Sequence, residues 1–171
     1  GMQVPATVQA VLAARIDRLA PGDKRLLQCA SVIGENVPVG LLHAVADMEE
    51  NELRDGLGRL RAAEFVYDIT LFPEPEYMFR HGLTCQVAYN SLLREPRSTL
   101  HARIVDAIEH LYPDRLGEHV ERLAHHARRG QRWDHAAGTG QLARVRLERM
   151  QEEVLQACPL EDHPVVLPPR Q

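Results

Sequence analysis

The hydrophobic pattern of this chain repeats with a helical period nearly everywhere and switches to a strand pattern once, between 64 and 79. Glu64-Phe65-Val66-Tyr67-Asp68-Ile69 is β-branched and aromatic, and so is Tyr77-Met78-Phe79. Such residues suit a pleated, half-buried surface. Between the two runs lies Pro73-Glu74-Pro75-Glu76, a loop through which proline cannot pair. The pattern therefore predicts a β-hairpin, set within a chain that is otherwise helical.

Four helices are expected before it. From Ala6 to Leu19 a stripe of Val8, Val11, Leu12, Ile16 and Leu19 lies on one face, with Arg15, Asp17 and Arg18 off it. Pro21-Gly22 breaks that helix. A second runs from Asp23 to Ile33 on Leu26, Leu27, Ala30 and Ile33, and Gly34 ends it as a glycine after a helix usually does. A third starts from Pro38, a residue suited to a first helical turn, and buries Leu41, Leu42 and Val45. Asp47 with Glu50 reads as a capping box opening a fourth, which continues through Leu53, Leu57 and Leu60 to Ala63. Short helices followed directly by a hairpin is the order of a winged helix.

Helices return at Gly82. Leu83, Val87, Ala88 and Leu92 mark one, and Leu100, Ile104, Ile108 and Leu111 a second that starts after Pro96 and stops at Pro113. A third carries Leu116, Val120, Leu123 and Ala127 and ends at Gly130; a fourth begins at Trp133, Ala136 and Ala137. Two antiparallel helices joined around Gly130 have the length of one tetratricopeptide-like repeat, a unit that is stable when stacked on others. Gly138 and Gly140 weaken the fourth helix by about 1 kcal/mol each relative to alanine. The tail holds four prolines from Pro159 onward and little apolar content, which predicts disorder. The expected architecture is mainly α with one small β-hairpin: a winged helix over 4–81, a helical, repeat-like segment over 82–150 and a proline-rich tail over 151–171.

Composition sets the function classes. Hydrophobic residues are 44% and charged ones 26% of 171, a globular balance, and a net charge of −4 gives no overall attraction to nucleic acid or an anionic membrane. Cys29, Cys85 and Cys158 are too far apart and too few for a disulfide framework or a zinc motif; Cys29 and Cys85 sit on apolar faces and read as reduced core thiols. No signal peptide and no apolar run of about 18 residues is found, so a cytoplasmic protein with no membrane partner is expected. Gly1-Met2 reads as a cloning remnant ahead of a start codon.

The chemistry-bearing motifs are missing. Lys24 is the sole lysine, in Gly22-Asp23-Lys24-Arg25, which lacks the second glycine and the hydroxyl of a phosphate-binding loop. There is no Gly-x-Ser-x-Gly elbow and no His-Glu-x-x-His helix. Of the nine histidines, His119 and His126 share a helix face, but adjacent His125 and His126 diverge by about 100° and cannot chelate together. Packing or surface histidines are expected, with no metal site, no catalytic residue and no cofactor held by this chain alone. DNA is disfavoured as a partner. The recognition helix of a winged helix would start Glu49-Glu50-Asn51-Glu52, its Arg54, Arg59 and Arg61 do not outweigh the acids, and the hairpin tip is acidic too. His81 is the histidine to single out, since it closes the second strand in Phe79-Arg80-His81-Gly82-Leu83. A strand-end histidine bonded to a neighbouring backbone is the simple reading there.

Several segments together resemble a known family. Val4 to Leu19, Asp23 to Gln28, Ala30 to Gly34, Ala62 to Phe65, Leu71 to Glu74, Tyr77 to His81, Leu100 to Val105, His110 to Asp114 and Leu123 to Ala127 are similar to the region after the ATPase core of bacterial STAND-type signalling ATPases. The likeness is greatest to those fused to class III adenylate or guanylate cyclases, and extends to MalT- and LuxR-type regulators. The resemblance covers about residues 4 to 137. It implies a winged helix plus the start of a helical repeat array, placed after a nucleotide-binding domain of the same or a partner chain. It also implies that His81, aligned with the histidine of a Met-His-Asp-like motif, reaches the β-phosphate of ADP bound to that domain. ATP or ADP is thus expected only in the full-length context, and other proteins as partners through the helical repeats. Gly82 stands where some relatives carry aspartate. The expected role is non-catalytic coupling of nucleotide state to an effector. A winged-helix DNA-binding regulator and a plain interaction scaffold are the alternatives.

Overall fold

The computed structural model describes residues 6–70 and 74–130. Helix α1 (Ala6–Asp17) is followed by α2 (Pro21–Ile33), strand β1 (Asn36–Pro38), α3 (Val39–Ala46) and α4 (Glu50–Ala62). Strands β2 (Val66–Thr70) and β3 (Glu76–Phe79) come next, then α5 (Gly82–Asn90), α6 (Arg94–Leu111), a 3-10 segment (Pro113–His119) and α7 (Val120–Gly130). The protein is mainly α with a small antiparallel sheet in the order β1-β3-β2. Tyr77 of β3 sits between Val37 and Asp68, and a bulge falls between Asp68 and Thr70. The run α2-β1-α3-α4-β2-β3 with that strand order is winged-helix topology.

The expected hairpin is present, and β1 completes a third strand that the pattern did not announce. Pro38 accordingly ends β1 and precedes α3 instead of starting the helix. The capping box does not form. Asp47 takes the left-handed conformation (φ 56°, ψ 50°) that closes α3, and Glu49 precedes α4 without a side-chain cap. Aspartate is among the few residues that tolerate that conformation, so the position serves the helix before it. Helix α6 starts at Arg94, with Pro96 inside its first turn, where no N–H partner is lost. The fourth helix expected from Trp133, the glycines 138 and 140, Cys158 and the 151–171 tail lie outside the described residues.

Helix α2 organises the core. Leu26 and Leu27 have no exposed surface, and Ala30, Val32 and Ile33 are buried with them. Around it pack α3 through Leu41, Leu42 and Val45, α4 through Leu53, Leu57 and Leu60, and α6 through Ile104 and Ile108. One apolar cluster runs from Ile16 to Ala127, so the helices after residue 81 build on the same core as those before it. Cys29 and Cys85 are buried free thiols inside it, and burial pushes the Cys85 thiol up to about 11.

The stripe expected on α1 is only half used. Leu12 and Ile16 are buried, but Val8 and Val11 are 44% and 60% exposed. Arg15 anchors the helix instead: its guanidinium donates to the Ala63 carbonyl at 2.9 Å and lies 4.9 Å from the Phe65 ring centre.

Between α2 and α4 one buried charge is matched. Asp23 accepts two 2.8 Å hydrogen bonds from Arg59, a planar two-point pairing that satisfies a carboxylate removed from water. Beside it the helices approach closely. A Cβ added at Gly56 would stand 2.8 Å from the Leu26 side chain, whereas one added at Gly58 would meet nothing within 4 Å. Two glycines in one helix should therefore respond with opposite signs. Gly56→Ala is expected to destabilise by about 1–3 kcal/mol through overpacking. Gly58→Ala is expected to stabilise by about 0.5–1 kcal/mol by removing backbone freedom. Denaturant melts of the two variants check this; equal signs would contradict the packing argument.

Candidate functional site at the exit of the hairpin

His81 stands where the hairpin hands over to α5. Its backbone is extended (φ −141°, ψ 132°), and its carbonyl accepts from the N–H groups of Thr84 and Cys85. The two residues before it are held on both sides: Phe79 N–H donates to the Glu35 carbonyl at 3.2 Å, and Arg80 N–H to the Phe65 carbonyl at 2.9 Å. The imidazole itself is exposed and makes no cap bond to α5. Among the described residues it has no hydrogen-bond or ion-pair partner. Rigid backbone thus presents a solvent-facing imidazole next to a helix N-terminus, a place that favours anions.

The two neighbours of His81 are acid-linked. Arg80 lies 3.6 Å from Glu64 in an exposed pair. A Cβ at Gly82 would stand 2.8 Å from Glu35 Oε1, so the carboxylate of Glu35 occupies the space that an aspartate at 82 would need.

The surfaces a winged helix uses on DNA are otherwise engaged. The three arginines of α4 are each paired with a carboxylate: Arg54 with Glu50, Arg59 with Asp23 and Arg61 with Asp68. Lys24 pairs with Asp17 at 2.7 Å. At the hairpin loop, Glu74 Oε1 accepts from Gly40 N–H at 3.1 Å, in the first turn of α3, and Oε2 accepts from the Tyr112 hydroxyl at 2.9 Å. Burial, with the bond to Glu74 adding to it, pushes the Tyr112 phenol up to about 12. An added Cβ at Gly40 would lie 2.5 Å from Glu74 Oε1, so glycine there makes the contact possible.

The histidines divide by environment. His119 stacks on Tyr112 with ring centres 4.5 Å apart, and burial lowers its basicity. The His125 and His126 rings meet edge to face, with centres 5.1 Å apart and planes at 88°. No group of three histidine, cysteine or acidic side chains among the described residues is arranged to hold a metal ion. What the sequence reading missed is His101, buried on α6, whose Nδ1 lies 2.7 Å from Nδ1 of buried His126. The signal was available: each histidine falls three residues from an apolar core position, Ile104 and Leu123, on consecutive helices.

No family model matches the chain. It is similar to an uncharacterized protein, R02095, of Rhizobium meliloti (strain 1021), at 28% identity over 122 residues. That match covers 67% of this chain, and the chain spans 12% of the length of that relative.

The Glu74 contacts make a direct expectation. Tyr112→Phe removes one hydrogen bond between the hairpin loop and the end of α6, and is expected to cost about 1 kcal/mol. Hydrogen exchange in β2 and β3 should rise with it; unchanged exchange there would show that Tyr112 does not restrain the hairpin.

Proposed function

We propose that this chain is a non-catalytic regulatory segment of a STAND-type signalling ATPase, coupling the nucleotide state of an ATPase domain to an effector such as a cyclase or a transcription module. The observation that carries the reading is the placement of His81: an exposed imidazole, without a partner among the described residues, on rigid backbone at the start of α5. A histidine packed within the core is instead buried and bonded there, as His101 is at both nitrogens. An imidazole can donate a hydrogen bond to a phosphate oxygen. His81 is the residue that would meet the β-phosphate of ADP held by the nucleotide-binding domain of the same or a partner chain. The similarity to a small part of a much longer protein agrees with a segment that works beside other domains.

In this reading the helices after residue 81 offer surfaces to other proteins, and the protein works in the cytoplasm. No helix among the described residues is long and apolar enough to cross a membrane. Paired arginines on α4 and a hairpin loop fastened to Tyr112 favour a packing and interaction role for the winged helix over DNA reading.

Three measurements test the proposal. In the full-length protein, His81→Ala should weaken ADP binding roughly tenfold, the loss of one hydrogen bond to a charged group, and raise basal effector output. Unchanged ADP affinity and output would leave a plain scaffold as the better reading. The 171-residue chain alone should give no heat with ATP in calorimetry, and micromolar binding would place a nucleotide site in this chain. It should also leave duplex DNA unshifted at low micromolar protein; a salt-sensitive shift would favour the DNA-binding alternative.

A further inference from the structure

We propose that the His101–His126 pair is a pH-sensitive latch that holds α7 against α6 and releases it on acidification. The two imidazoles are each 1% exposed, and their Nδ1 atoms are 2.7 Å apart, so one nitrogen donates and the other accepts. His101 Nε2 is 3.0 Å from the Tyr89 hydroxyl, whose oxygen also receives a hydrogen bond from Arg129 at 3.1 Å. A single direction satisfies the whole chain: Arg129 donates to Tyr89, Tyr89 to His101 Nε2, and His101 Nδ1–H to His126 Nδ1. Both rings are then neutral.

A proton entering this network has no good place. On His126 Nδ1 it sets two N–H groups against each other at 2.7 Å unless the chain of bonds reverses. Reversal accommodates one proton in hydrogen bonds but leaves a buried imidazolium. The charged or titratable groups acting on the pair are Arg97 on α6 and Arg122, His125 and Arg129 on α7, beside the Tyr89 hydroxyl of α5. Every charge among them is cationic. Among the described residues no carboxylate of α2, α3 or the 3-10 segment acts on either ring; Arg25 of α2 and Arg103 of α6 act on Cys29 instead. Burial first, then these cations, hold both histidines well below their ordinary basicity.

The packing gives the strain one outlet. A Cβ at Gly130 would fall 2.7 Å from the Ala102 backbone nitrogen, so the end of α7 already touches the α6 backbone beside His101. Moving the helices closer is blocked there, so the pair is relieved by separating them. Helix α7 buries three apolar side chains, Val120, Leu123 and Ala127, beside His126 itself, so the histidine is a large part of what its inner face sets against α6.

The sign follows from linkage. Histidines that are neutral when docked and ordinary when released leave the docked state at full stability above pH 6.5, and weaken it as pH falls below that value. At pH 5 the released fraction rises by about 30-fold for each histidine that gains a proton on release.

Hydrogen exchange on the 171-residue chain at pH 7.5 and pH 5, corrected for intrinsic rates, tests the latch. Amides of α7 should lose about 30-fold or more of their protection, while those of α2 from Leu26 to Ile33 keep theirs. Unchanged α7 protection overturns the proposal, and so does an equal loss in α2, which would be general acid unfolding. The double variant His101→Asn, His126→Asn should lose the pH dependence specific to α7; retention of it also overturns the latch. Should that variant not fold, nitrogen shifts of the two rings in the native chain decide. They should stay those of neutral imidazole down to pH 5 in the docked form, and a ring that protonates while α7 remains protected overturns the latch.

Discussion

Helix α2 is buried along most of its length, and a helix without a solvent face from Leu26 to Ile33 must be wrapped on all sides. In this chain α3, α4 and the sheet cover only part of it. Here α5 and α6 complete the wrapping, with α6 packing against both α2 and α3. Each fully buried leucine contributes about 1.5–3 kcal/mol, so removing the helices after residue 81 would expose a large part of what holds the winged helix together. The boundary between hairpin and α5 is thus a change of element within a shared core, and His81 sits on that seam.

Charge on the winged-helix surface is spent internally. The α4 arginines, Lys24 and the loop glutamate Glu74 each have a partner on another element or on their own helix. Most of these pairs are exposed and individually weak. Asp23 with Arg59 is different, because the carboxylate is enclosed and receives two bonds from one planar group. The same pairings that position α4 and the hairpin also leave little free positive charge for a polyanion to find, which ties the interior architecture to the class of partner the surface suits.

How far the sequence could be read follows from the length over which a signal accumulates. Helices of eight residues or more were legible from periodicity, and the hairpin from its aromatic and β-branched runs around Pro73 to Glu76. Strand β1 was not, because three residues cannot display an alternation. Asp47 and Glu50 matched a capping pattern by spacing, yet spacing cannot tell which helix a residue closes. Val8 and Val11 carry the α1 stripe onward, but burial depends on what lies opposite, and among the described residues α1 packs chiefly against α5. Gly130 looked like a terminator, whereas its backbone contact with α6 gives the stronger reason for glycine there. At the candidate site the exposure of His81 at a strand-to-helix junction was readable; the Glu35 carboxylate beside Gly82 was not, since 47 positions separate them in sequence.

The histidines carry the physical lesson furthest, because one side chain does three different things in this chain. His81 follows a pinned strand end, so its backbone is fixed while its ring is left to solvent; it can respond only to something that arrives from outside. His119 lies flat on Tyr112, itself bonded to Glu74, and serves as an apolar plate that extends the hairpin's attachment to the end of α6. His101 and His126 are enclosed, and enclosure among arginines makes neutrality a condition of their packing. The chemistry of imidazole is the same in each case. What differs is what the fold places around it: His101 has a partner at both nitrogens, His119 has a ring to stack on, and His81 is left to solvent without a bond to any described residue.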